Sequence, residues 1–152
     1  MALESPKPPL PGAVLFACNF NRVRSPMAEA LLKRAVGDRI YVDSCGLRPA
    51  ADEGEGADPF VEAVMSEISC DLQRHRPKTF DDLEDGSFDL IVSLTPEAQH
   101  RAVELTRGRA AEIEYWPTFD PTLAEGSREA RLAAYREVRD ALAARIAERF
   151  GR

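Results

Sequence analysis

Cysteine is scarce in this chain, with three in 152 residues, and the odd count excludes a closed disulfide framework. A reducing, cytoplasmic setting is expected instead. Histidine is scarcer, with two. Cys18, Cys45, Cys70, His75 and His100 show none of the paired spacing of a zinc site, so neither a metal nor a cofactor is expected. No run of about 18 apolar residues occurs, which argues against a transmembrane helix and a membrane partner. Positive charge is in deficit, with 20 Lys and Arg against 26 Asp and Glu and a net charge of −6. Nucleic acid, which requires a basic face, is therefore not expected as a partner. An anionic small substrate remains compatible, because the field at one helix end is local. Residues 1–12 carry Pro6, Pro8, Pro9 and Pro11 without an apolar core, so they read as a flexible proline-rich tail rather than a signal peptide.

What is present suits a soluble globular protein. The chain is 44% hydrophobic and 30% charged, and residues 13–152 are long enough for a single domain with its own core. Its central stretch is Val14 to Ala30. Val14-Leu15-Phe16-Ala17 reads as a buried strand. Ser25-Pro26 reads as the N-cap and first residue of a helix running to Val36 and stopped by Gly37. Between them lies Cys18-Asn19-Phe20-Asn21-Arg22-Val23-Arg24, so that Cys-x5-Arg-Ser sits in a strand–loop–helix setting.

That arrangement has a chemistry. A loop wrapping into a helix N-terminus aims several backbone N–H groups at one point and makes an anion cradle. Arg24 adds a planar fork matched to two phosphate oxygens. The same positive field favours a thiolate at Cys18, and the Ser25 hydroxyl can donate to it. Asn19, Phe20, Asn21, Arg22, Val23 and Arg24 are thus the candidate phosphate-binding residues, with Cys18 as nucleophile.

The rest of the chain repeats strand and helix. Strands are expected at Ile40–Ser44, Phe88–Leu94 and Ala111–Tyr115. Helices are expected at Phe60–Ile68 behind the cap Asp58, at Pro96 to about Arg107 behind Thr95, and after Ser127. In the last, Leu132, Tyr135, Val138, Leu142, Ile146 and Phe150 form a core stripe. The segments 47–57 and 81–86 read as polar or acidic loops. The order predicts an α/β three-layer sandwich, a four-stranded parallel sheet with helices on both faces. Right-handed crossovers then place all strand C-termini on one side, where the Cys18 and Asp120 loops meet. Asp58 is expected far from that face.

CNFNRVRSPMAEALLKR resembles the phosphate loop and first helix of the low-molecular-weight protein tyrosine phosphatases, and of the arsenate reductases that share their fold. The likeness departs at Phe20, where the family usually has glycine, and at Val23, where its phosphatases often carry a second cysteine. On the residues alone, Ser44 is a serine at a strand end and His75 a surface histidine among basic residues. The resemblance instead places Ser44 beside the loop and His75 behind it, bracing Asn21, whose left-handed backbone would hold the loop's shape. It also matches Asp120-Pro121 to the family's acid loop. Expulsion of an alkoxide or phenoxide needs a proton donor, and a carboxylic acid facing the cysteine supplies one. Trp116, Phe119 and Phe20 are candidates for an aromatic wall, since Thr122 and Leu123 stand where such phosphatases often have aromatics.

The resemblance implies a cysteine-dependent phosphatase acting on phosphate monoesters, with phosphotyrosine protein or a small phosphate monoester as partner. Two alternatives stand beside it. One is an arsenate reductase using an external thiol, since Leu94–Arg107 contains no relay cysteine and Cys45 and Cys70 read as buried hydrophobes. The other is a non-hydrolytic oxyanion-binding domain, for which Phe20 is the support.

Overall fold

The computed structural model describes residues 9–50, 56–83 and 86–151. The expected tail lies outside the described residues as far as residue 8, as do residues 51–55 and 84–85 of the two expected loops. Strands β1 (Ala13–Cys18), β2 (Tyr41–Gly46), β3 (Leu90–Ser93) and β4 (Glu112–Tyr115) alternate with helices α1 (Arg24–Val36), α2 (Pro59–Ser66), α3 (Pro96–Leu105) and α4 (Arg128–Phe150). The strands form one sheet in the order β2-β1-β3-β4, and every pairing is parallel. This is the four-stranded parallel α/β sandwich expected from the strand–helix alternation.

β1 is apolar throughout because it is buried on both faces. Val14 and Phe16 join the larger core cluster with α1, α2 and α4, whereas Leu15 and Ala17 join a smaller one with Ala98 and Ala102 of α3. The stripe of α4 lies in the larger cluster from Leu132 to Phe150. Arg139, on the same helix, is buried too, and its guanidinium donates to Val64 O at 2.7 Å and Glu67 Oε1 at 2.8 Å. It thereby closes the C-terminal end of α2 against α4. Hydrogen bonds from Arg136 and Arg139 hold the Glu67 carboxyl down at about 2.

Several element ends move from their expected places, for tertiary reasons. β2 extends to Gly46 because Cys45 and Gly46 pair with Ala17 and Cys18. β3 begins at Leu90, since Asp89 turns its Oδ2 to the Ala13 amide at 2.9 Å. α3 ends at Leu105, where the Thr106 hydroxyl bonds back to Ala102 O at 2.8 Å. α2 ends at Ser66, and Ser69 takes φ 61° as the chain reverses. The caps at Asp58, Thr95 and Ser127 form as expected, each side chain accepting a first-turn amide.

The sheet order reverses direction at β1, with β2 on one side and β3 on the other. Open parallel sheets bind ligands at the strand C-termini beside such a switch point. The loop that leaves β1 there is residues 19–23.

Candidate active site

Cys18 ends β1 and Arg24 begins α1, so the five residues between them must fold tightly over the helix terminus. Asn21 makes the turn with φ 58° and is completely buried. Its amide is fully engaged. Nδ2 donates to Ser25 Oγ at 2.8 Å and Ser44 Oγ at 2.9 Å, and Oδ1 accepts the Lys78 amide at 3.0 Å. These partners fix which end of the amide is oxygen. The Asn21 carbonyl accepts from His75 Nε2 at 2.7 Å, so the proton of the neutral ring sits on that nitrogen. Burial pushes the His75 pKa down, which favours that neutral ring.

Ser25 is not the helix cap expected from the sequence. α1 starts at Arg24, two residues earlier than expected, and Val23 in the cap position offers no side-chain bond. The Ser25 hydroxyl is drawn inward: it lies 2.9 Å from Cys18 Sγ and 3.3 Å from Cys45 O. Since it already accepts from Asn21, its single proton faces the sulfur or that carbonyl. The uncapped first turn has Pro26 within it, and the first intrahelical bond runs from Met27 N to Val23 O at 3.2 Å. The amides ahead of Met27 have no intrahelical acceptor and are available to an anion.

Arg24 Nη1 donates to Thr118 O at 3.0 Å, and Nη2 lies 3.9 Å from Asp120 Oδ2. The Asp120 loop therefore meets the Cys18 loop, as the parallel topology predicted. Asp120 Oδ1 accepts from the Thr122 amide at 3.0 Å and hydroxyl at 2.7 Å. That leaves Oδ2 as the oxygen on the side of Arg24. The Ser44 hydroxyl accepts from the Asn21 amide and donates to Glu29 Oε1, a carboxylate paired with Lys33.

Two expectations are corrected. Asp58 is not remote from this face: its amide donates to Arg22 O at 3.0 Å, and Tyr135 Oη reaches its Oδ2 at 3.4 Å. The start of α2 is thereby joined to the loop that follows β1. Trp116 is not an aromatic wall either. It is buried, edge-on to Phe16 with ring centroids 6.0 Å apart. Phe20 and Phe119 are exposed, at 41% and 60%.

Sequence reasoning missed two supports of the loop. A Cβ on Gly46 would lie 2.8 Å from Asn21 N, 2.8 Å from Phe20 C and 2.9 Å from Asn19 O, so only glycine lets β2 lie against the loop backbone. Thr95 caps α3 and also donates to Asn19 Oδ1 at 2.8 Å. The Gly46 requirement is visible only once β1 and β2 are paired. The Thr95 cap was legible locally, its second contact not. All three cysteines are free and buried, and burial pushes the Cys45 thiol up, which keeps it protonated. Among the described residues, no three His, Cys, Asp or Glu side chains converge as a metal site requires, and no helix is long and apolar enough to cross a membrane.

A parallel α/β sandwich whose first strand feeds a Cys-x5-Arg-Ser loop at a helix N-terminus defines a class of proteins that seat an oxyanion above a cysteine. Residues 13–148 match the family of the low molecular weight phosphotyrosine protein phosphatases, and the chain belongs to that family. Its relatives carry two kinds of name. An arsenate reductase of Halalkalibacterium halodurans is 32% identical over 133 residues, covering 88% of this chain and 91% of that protein. A low molecular weight protein-tyrosine-phosphatase of Streptomyces coelicolor is 35% identical over 122 residues, covering 74% and 72%. Among solved structures, the YwlE arginine phosphatase of Geobacillus stearothermophilus superposes with a TM-score of 0.75 at 24% identity, covering 93% of this chain and 91% of that one.

Proposed function

We propose that the protein hydrolyses phosphate monoesters, phosphotyrosine in proteins among them, through a phospho-cysteine. The observation that carries this reading is the 2.9 Å contact between Ser25 Oγ and Cys18 Sγ at the floor of a loop whose far side holds Arg24 against the Asp120 loop. In this reading Cys18 is the nucleophile, Arg24 the oxyanion fork and Asp120 the carboxyl acid.

In this mechanism the loop amides and the Arg24 fork seat the phosphoryl group. The Cys18 thiolate attacks phosphorus in line, forming the S–P bond as the P–O bond to the leaving group breaks. Asp120 gives its proton to the departing oxygen. Ser25 donates to the sulfur, stabilising it before attack and again when it leaves. In the second half the Asp120 carboxylate takes a proton from water, the water oxygen attacks phosphorus, and the S–P bond breaks to return the thiolate and inorganic phosphate. Asn21, Ser44 and His75 hold the loop in shape. The balance uses water alone as co-reactant.

Arsenate reduction is the second reading, favoured by the names of relatives such as that of H. halodurans. Arsenate would take the phosphate position and condense with Cys18, the S–As bond replacing an As–O bond whose oxygen leaves as water. An external thiol would then attack sulfur, releasing arsenite and a mixed disulfide that a second thiol reduces. A thiol relay within the chain is disfavoured, because Cys45 is buried and held protonated.

The test is hydrolysis of para-nitrophenyl phosphate at mildly acidic pH without added metal, by wild type and Cys18→Ser, beside arsenate reduction with glutathione. Turnover of the ester that vanishes in the variant supports the phosphatase. Absence of ester turnover, with thiol-dependent release of arsenite, favours the reductase. Ester hydrolysis undiminished in Cys18→Ser refutes both.

A further inference from the structure

Beside the phosphate loop, Phe20 forms one wall of a groove of about 360 Å³. The opposite wall is the segment of Arg76, Pro77 and Lys78, and Arg48 and Pro49 close the end. Both walls are tied to the catalytic framework. The Arg48 amide donates to Asn19 O at 3.2 Å, and Gly46 N donates to Lys78 O at 2.8 Å. The groove is therefore a fixed extension of the loop.

Its charge is opposite to that of the molecule. The chain carries −6 overall, yet among the described residues Arg22, Arg48, Arg76 and Lys78 line this groove against one carboxylate, Asp82. That carboxylate is engaged, accepting from the Thr79 amide at 3.0 Å and hydroxyl at 3.1 Å. Lys78 is paired with Asp43. Arg22 donates to Gly56 O at 3.0 Å. Arg48 and Arg76 meet no carboxylate among the described residues. The Arg48 guanidinium lies over the Phe20 ring, 5.5 Å from its centroid, and Arg76 Nη1 donates to His75 O at 3.1 Å. Stacking over a ring orients a guanidinium while leaving its in-plane N–H groups directed outward, the arrangement that takes a carboxylate.

We propose that this groove is a specificity subsite that receives an acidic side chain, Asp or Glu, lying next to the phosphorylated residue of a peptide substrate, with Arg48 and Arg76 as its binding residues. The inference rests on the phosphatase reading above. Phe20 carries the argument geometrically. It belongs to the phosphate cradle through its backbone and to the groove through its ring. A peptide with its phosphoryl group in the loop lays its next residue across Phe20 and into reach of Arg48. The volume suits one or two side chains and the proline walls an extended backbone.

The experiment uses three phosphotyrosine peptides, identical except for Glu, Ala or Lys on both sides of the phosphotyrosine, with para-nitrophenyl phosphate as a substrate without flanks. Enzymes are wild type, Arg48→Gln, Arg48→Glu and Arg76→Gln. The expected wild-type order of kcat/KM is Glu, Ala, Lys, with steps of about 3- to 5-fold at low salt, the range of a partly exposed ion pair. These steps shrink as ionic strength rises. Arg48→Gln and Arg76→Gln each remove much of the preference, and Arg48→Glu inverts it. Para-nitrophenyl phosphate turnover stays within about 2-fold in all four, since no scissile atom is touched. Indifference of the wild type to the flanks overturns the subsite, as does a preference that survives both Arg48→Glu and Arg76→Gln. Turnover of the small ester with none of the peptides also overturns it, while leaving ester hydrolysis through Cys18 intact. No turnover of any ester overturns the phosphatase reading and the subsite together.

Discussion

Replacing Gly46 by alanine drives a methyl carbon into the underside of the phosphate loop. The three atoms it meets are backbone atoms of Asn19, Phe20 and Asn21, at 2.8–2.9 Å. Ordinary contact begins near 3.4 Å, so about half an ångström must be recovered, and no flexible side chain is there to yield it. The loop or the end of β2 must shift. Overpacking of this kind costs about 1–3 kcal/mol. For a chain of this size each kcal/mol lowers Tm by about 2–4 °C. The catalytic loss should be larger in proportion. Working sites are held to within about 0.5 Å, and a displacement of 1 Å costs about 100-fold. We expect kcat/KM for para-nitrophenyl phosphate to fall about 10- to 100-fold and competitive inhibition by inorganic phosphate to weaken with it. Gly37→Ala is the contrasting change. Gly37 has φ 58° with nothing within 4 Å of an added Cβ, so only backbone strain acts, about 1–2 kcal/mol, and activity should not move. A folded Gly46→Ala enzyme with kcat/KM within about 2-fold of wild type would refute the reasoning.

Three further outcomes follow from the same contacts. Asp120→Asn should slow esters of poorly acidic alcohols most and para-nitrophenyl phosphate least, because only a poor leaving group needs the proton; equal losses across a leaving-group series would remove Asp120 from the acid role. Thr95→Ala should cost about 0.5–2 kcal/mol through loss of the α3 cap, and should also raise KM by freeing Asn19, whereas a pure capping role leaves KM unchanged in urea-matched conditions. For His75 the sign is set by its lowered pKa: the ring contributes stability that is intact above the ordinary value of 6.5 and is lost as pH falls through the folded-state value. Urea midpoints of wild type should therefore decline more steeply below about pH 6.5 than those of His75→Gln, and parallel curves would show that His75 is not held neutral.

The two readings proposed above share one physical requirement: a tetrahedral oxyanion above a thiolate. What separates hydrolysis from reduction is the fate of the sulfur adduct. Water needs a base, and Asp120 Oδ2 lies 3.9 Å from Arg24 Nη2. Reduction needs a second thiol, and burial withholds Cys45. The identity figures, 32% and 35%, do not separate the branches.

Local sequence determined what depends on neighbours along the chain. The unbroken apolar run of β1 made it a strand buried on both faces. Asp58, Thr95 and Ser127 capped their helices, because a cap needs only the amides two or three residues on. Cys18 and Arg24 had to share one loop, since five residues between a strand and a helix cannot carry them apart. Tertiary structure decided what depends on partners remote in sequence. Ser25 left the cap for Cys18 once Asn21, itself held by Ser44 and His75, pressed an N–H against it. Gly46 became indispensable when strand pairing set it under Asn19–Asn21. Trp116 went to the core and Asp58 came to the loop, and Phe20 acquired Arg48. Each of these contacts closes a long loop of chain, and its register is fixed by the packing of whole elements, which no spacing between adjacent residues encodes.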